Sequence, residues 1–128
     1  TPDMRVPIAY GLAYPDRVTS GADALDFATL RDLSFEPADR ARFPGLFLSW
    51  DALAAPEGST AVLNAANEEA VAAFLQGSIR FTDIHRVNAD TVAGVMPSAS
   101  DAESLGSLLD LEGRARRHAQ DMISGLRR

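Results

Sequence analysis

The chain has 128 residues, a formal net charge of -6, a sequence pI of about 4.7 and no cysteine. A single domain of that length buries roughly two thirds of its unfolded surface, and the negative charge opposes nucleic acid as a main partner. The missing cysteines exclude disulfides, thiolate nucleophiles and zinc–thiolate sites together, which fits a reducing, cytoplasmic setting.

The opening run TPDMRVPIAYGLAYPDR predicts a short helix, capped by Asp3, with Pro7 in its first turn and Met4, Ile8 and Leu12 at four-residue spacing before Pro15 stops it. A helix starting so close to Thr1, with no initiator methionine, reads as a chain cut from something longer. From 16 to 42 the signals become those of an extended linker: Ser20 and Gly21 break the chain, Leu25 alternates with Phe27, and Leu33 with Phe35, before Pro37. A connector of that length marks a linker or functional loop, and its spaced apolar residues suggest one that lies against a surface.

A second helix is expected from Phe43 and Pro44, with Leu46, Trp50, Leu53 and Ala54 as one face and Pro56 and Gly58 as its end. The central helix, Ala61 to Gln76, follows. Leu63, Ala66, Ala70 and Phe74 keep one three-four spacing, Val71 and Leu75 widen that face, and Gly77 stops it. Its many alanines suit close helix packing on more than one side. Asn64, Asn67 and Glu68 form a polar stripe, read either as a solvated or first-turn capping face, or as amides that hold a chain segment lacking regular partners.

Beyond it, Ile79 and Phe81 suggest a short extended stretch, and Thr82 an N-cap for a helix with Ile84, Val87, Thr91, Val92 and Val95 inside, closed by Pro97. Ser100 with Glu103 has the spacing of a capping box for a short helix carrying Leu105, Leu108 and Leu109; Asp110 can cap the last helix, with Ala115, Ala119, Met122, Ile123 and Leu126 on one side. The expected fold class is all-α: a helical bundle of about four main helices, antiparallel, preceded by a short helix and a long extended linker.

Chemistry is sparse. His85 and His118 belong to no metal-ligand spacing, and the acid pairs Glu68 with Glu69 and Asp101 with Glu103 read as first-turn acids favoured by the helix dipole. Arg114, Arg116, Arg117, Arg127 and Arg128 read as cations near a helix C-terminus. No lysine is present, which excludes Schiff-base chemistry, and neither a nucleotide-binding glycine motif nor a nucleophile elbow occurs. No apolar run reaches the roughly twenty residues of a membrane span. On residues alone this is a packing module with an attached arm.

Three motifs in order, PDMRVPIAYGLAYPDR, FEPADRARFPGL and LNAANEEAVAAFLQGSIRFTDI, resemble the C-terminal part of the deoxyxylulose-phosphate reductoisomerase family. The likeness runs nearly end to end. It implies an NADPH- and divalent-metal-dependent enzyme (magnesium or manganese) of non-mevalonate isoprenoid synthesis, a homodimer whose NADPH-binding and catalytic domains lie upstream of Thr1. By the same likeness, residues 1–15 are the closing helix of the catalytic region, 16–42 the linker and 43–128 the bundle. Catalytic and metal residues of the family lie outside this chain. The exception is the turn of Pro2 and Met4, where the resemblance places Met4 beside the nicotinamide ring; its other reading is the first core residue of a short helix. The competing function is a free-standing helical module that binds a protein partner.

Overall fold

The computed structural model describes residues 3–29 and 34–126. Two compact units divide the chain, residues 1–36 and 37–128. The described secondary structure is helical throughout.

In the first unit, α1 spans Arg5–Ala13. The Asp3 carboxylate accepts the Arg5 backbone N–H at 2.9 Å, satisfying one of the free donors of the first turn. Tyr14 turns extended ahead of Pro15 and ends the helix. No residue of α1 is buried, so the spacing of Met4, Ile8 and Leu12 does not mark a core here; Leu12 is 85% exposed. What holds the helix is polar and aromatic: Tyr10 meets Tyr14 edge-on at 5.9 Å between centroids, and the Arg17 guanidinium lies 5.7 Å from the Tyr10 ring centre. The described part of the linker has no helix or strand. Leu25 and Phe27 do not alternate along a strand: Phe27 lies in a turn in which Asp26 accepts the Ala28 N–H, and both side chains are exposed, as is Phe35. Leu33 falls outside the described residues.

In the second unit, Asp39 accepts the N–H groups of Ala41 and Arg42 just before α2, Pro44–Ala54, with Pro44 at its first position. Leu46, Trp50 and Leu53 are exposed, which reverses the face expected for this helix. The buried stripe is Ala52, with Pro44, Phe47 and Leu48 half-buried. Nearly every residue of PGLFLSWDALA is apolar, so periodicity could not choose between its sides.

The central helix α3, Ser59–Leu75, packs against α2, α4 and α5. Gly58 precedes it with φ +92°, and an added Cβ there would stand 2.8 Å from a Leu111 methyl. At the other end Gly77 takes φ +73°; its N–H bonds the Phe74 carbonyl and the Ser78 N–H bonds the Ala73 carbonyl, a Schellman stop. Helix α4, Phe81–Gly94, starts one residue before Thr82, because the Asp83 carboxylate reaches back to the Arg80 N–H at 3.0 Å. Ile79 is buried, but Phe81 is already helical and exposed.

The expected break at Asp110 does not exist. A single helix α5 runs Leu105–Leu126 through that residue, capped by Ser104 and Ser107, which bond each other's backbone N–H. Ahead of it a 3-10 turn, Ala99–Ala102, is closed by Ser98 and Asp101 rather than by Ser100 and Glu103.

Two apolar clusters result. One joins Ala66, Ala70, Ala73, Ile79, Val87, Ala119 and Ile123; the other joins Val62, Ala65, Val95, Leu111 and Ala115. Alanine dominates wherever α3 meets α5, so the two backbones approach closely and leave no slack for larger groups. Ala119→Leu is therefore expected to destabilise the bundle by about 1–3 kcal/mol through overpacking, read as a lower urea midpoint at unchanged slope.

Candidate functional site

Two places in the chain concentrate polar geometry, one in each unit. In the first, Met4 is the residue ahead of α1 and is 71% exposed, so its thioether is free to meet a ligand and is not a core residue of this unit. Its neighbours are fixed. The Arg5 Nε lies 3.0 and 3.1 Å from the two Asp3 carboxylate oxygens and Nη2 lies 2.6 Å from Oδ2, while Nη1 donates to the Gly21 carbonyl at 2.8 Å. The guanidinium, and then the Arg5 N–H, hold the Asp3 carboxyl below its ordinary range. Pro2, the other residue assigned to this turn, lies outside the described residues.

In the second unit, the stripe of Asn64, Asn67 and Glu68 is exposed, as a solvated face would be, and its hydrogen bonds run to helical residues rather than to a loose segment. Asn64 Nδ2 donates to Glu68 at 3.2 Å, and Asn67 Oδ1 accepts from Asn88 Nδ2 of α4 at 3.0 Å. Glu68 and Glu69 sit mid-helix, not in a first turn, and both reach Arg116 of α5, which also binds Glu112. The Arg116 hydrogen bond is the leading cause that lowers the Glu68 pKa, and the three carboxylates together raise that of Arg116. Arg114 binds Asp101, whose carboxyl is lowered to about 2, first by the Ser98 backbone N–H, then by the Ser98 hydroxyl and by Arg114. Arg114 and Arg116 thus serve as mid-helix ties from α5 to neighbouring elements rather than as complements to a helix end. Arg127 and Arg128 lie outside the described residues.

A groove of about 810 Å³ lies between the start of α2 and the α3–α4 pair, lined by Phe43, Leu46, Leu63, Phe81 and Ile84 with Asn67, His85 and Asn88 among them. Asn88 is 8% exposed; its Oδ1 and His85 Nδ1 are buried with no hydrogen-bond partner among the described residues. His118 bonds Asp90 at 2.9 Å between α5 and α4, and lies over Gly94, where a Cβ would meet its ring at 2.5 Å. The two histidines are separate features. Among the described residues no three His, Asp or Glu side chains converge as a metal ion requires.

A family model for the DXP reductoisomerase C-terminal domain matches residues 1–118. The chain belongs to that family. It is 50% identical over 127 residues to the 1-deoxy-D-xylulose 5-phosphate reductoisomerase of Methylococcus capsulatus, covering 99% of this chain and 32% of the relative. The reductoisomerase of Cupriavidus metallidurans is also 50% identical, with 98% of this chain and 31% of the relative covered. Among solved structures, the Zymomonas mobilis reductoisomerase in complex with NADPH superposes with a TM-score of 0.83 at 39% identity, over 96% of this chain and 32% of that one. A DOX-P reductoisomerase complex with NADPH, fosmidomycin and magnesium gives 0.83 at 37%, over 97% and 32%. The chain spans about a third of the length of the reductoisomerases it matches.

Within this C-terminal domain, the pairings that sequence reasoning missed are those of Arg5, Asn88 and Arg116. Each residue acts through a partner far along the chain, Gly21, Asn67 and the Glu68–Glu69 pair, and no short-range spacing signals such pairs. The Asn67–Asn88 bond predicts a specific mutational pattern. Asn67→Leu is expected to cost about 1–3 kcal/mol by stranding the buried Asn88 amide, whereas Asn67→Leu with Asn88→Leu is expected to recover most of that loss, since neither polar group then remains. Urea denaturation of the two variants checks both halves.

Proposed function

We propose that this chain serves as the C-terminal part of a reductoisomerase that converts 1-deoxy-D-xylulose 5-phosphate to 2-C-methyl-D-erythritol 4-phosphate with NADPH and a divalent metal. The observation that carries this reading is the near-complete match of the chain to about a third of enzymes with that name. Residues 1–15 act as the closing helix of the catalytic region, 16–42 as a linker and 43–128 as a bundle that braces it. The intact protein is a cytoplasmic homodimer that binds neither nucleic acid nor membrane; in its support, the net charge is -6 and no helix among the described residues is long and apolar enough to cross a bilayer.

The distribution of apolar surface supports a role inside a larger molecule. Helix α1 buries nothing, and Leu46, Trp50 and Leu53 stand outward on α2. Surfaces of that kind call for cover, which the preceding catalytic and nucleotide-binding parts supply. The donor set of this chain does not fit the metal, because no three ligating side chains converge among the described residues. For the cofactor, the fitting element is the exposed Met4 thioether, a soft apolar contact suited to the face or edge of a nicotinamide ring. Together with Pro2 it forms a wall of the cofactor site; hydride comes from NADPH and the acids that hold the metal come from the preceding part.

The purified 128-residue chain is expected to oxidise no NADPH when given deoxyxylulose phosphate and magnesium or manganese, and to show no NADPH binding by calorimetry. The full-length protein is expected to do both. Substrate-dependent turnover by the 128-residue chain overturns the structural role assigned to it.

A further inference from the structure

We infer that Arg5 is a positioning residue, a strap that fixes the turn carrying Met4 by tying it to the linker at Gly21. The inference rests on the reading of Met4 as a nicotinamide contact and adds the element that sets where Met4 stands.

Helix α1 has no buried residue, so no buried apolar contact among the described residues fixes its first turn. Met4 itself is 71% exposed, and the bond its backbone makes is the helical one in which its carbonyl accepts the Ile8 N–H at 3.2 Å. The residues on either side of it are bound to each other instead: Asp3 accepts the Arg5 N–H at 2.9 Å and the Arg5 Nε at 3.0 and 3.1 Å. A planar guanidinium set against a carboxylate fixes orientation as well as distance. Its remaining arm, Nη1, reaches the Gly21 carbonyl, sixteen residues on, at 2.8 Å.

Gly21 has φ +73°, the left-handed region in which a side chain is strained, so the turn that presents this carbonyl depends on glycine. The same turn is closed by the Ala22 N–H donating to the Ser20 hydroxyl at 3.2 Å. Asp3, Arg5 and Gly21 therefore form one polar unit whose two charged members flank Met4 in the chain. An ammonium cannot replace it, since lysine offers one point of charge and no fork to span a carboxylate and a carbonyl together. Displacing a cofactor contact by a fraction of an ångström weakens binding before it alters the chemistry of the bound complex.

The test uses the full-length enzyme and steady-state kinetics with NADPH as the varied substrate, on Arg5→Lys, Arg5→Gln, Gly21→Ala, Met4→Ala and the double variant Arg5→Lys with Met4→Ala. The expected result is a rise in KM for NADPH of about tenfold in each single variant with a smaller change in kcat, and no further rise in the double variant. Gly21→Ala leaves both charged side chains in place and reads the strap from its other end. If Met4→Ala raises KM while the Arg5 and Gly21 variants match the unaltered enzyme, the strap is overturned and the Met4 contact stands. Additive effects of Arg5→Lys and Met4→Ala show that Arg5 acts by another route and overturn the inference. An unchanged KM in Met4→Ala overturns the contact and the strap together.

Discussion

Helix α3 touches three neighbouring helices, and it does so because its contact positions carry methyl groups instead of long side chains. Ala65, Ala66, Ala70 and Ala73 are buried on α3, and Ala115 and Ala119 are buried on α5. Small residues at a contact let two backbones come close enough for dispersion to act along the whole length of the helices. The remaining volume is filled by few large groups, among them Leu111, Val62 and Val87, which are fully buried. A core of this kind tolerates little added volume, and the two ends of α3 show how tightly its length is set. Gly58 leaves room for Leu111 at one end, and Gly77 closes a Schellman stop at the other.

Polar ties work on top of that packing. Arg116 gathers Glu68 and Glu69 of α3 and Glu112 of its own helix, and Arg114 holds Asp101 of the 3-10 turn. These pairs are partly exposed, so each adds modestly to stability; their larger effect is on register, since an arginine that must satisfy three carboxylates fixes how α3 and α5 face each other. The first unit inverts this balance. With no buried residue among those described, its order comes from the Asp3–Arg5–Gly21 strap and from the contacts of Tyr10 with Tyr14 and Arg17.

The sequence made the bundle legible where punctuation and periodicity agree. Pro44 and Gly77 mark real helix ends, and the inner faces of α4 and α5 hold at Val87, Thr91, Val95, Ala115, Ala119 and Ile123. Caps were less legible, because several polar residues compete at one junction: Asp83 displaces Thr82, and Ser104 with Ser107 leaves Asp110 as an ordinary mid-helix residue. The face of α2 was not legible at all, since apolar residues surround that helix. At the candidate site, the turn of Met4 is proposed through family resemblance, whereas Arg5 beside it was passed over; its partner Gly21 is distant in sequence, and nothing in the local pattern announces the pairing.

If the chain works as a braced part of a larger enzyme, the first unit must gain from the rest of that enzyme the cover it lacks by itself. No described residue of that unit is buried, and Phe27 and Phe35 are 79% and 89% exposed. Amide hydrogen exchange compared between the 128-residue chain and the full-length protein reads this directly. The expected pattern is strong protection of α3 and α5 in both, with residues 5–29 exchanging quickly in the short chain and slowly in the full-length protein. Equal, strong protection of residues 5–29 in a dilute monomer of the short chain would contradict the account.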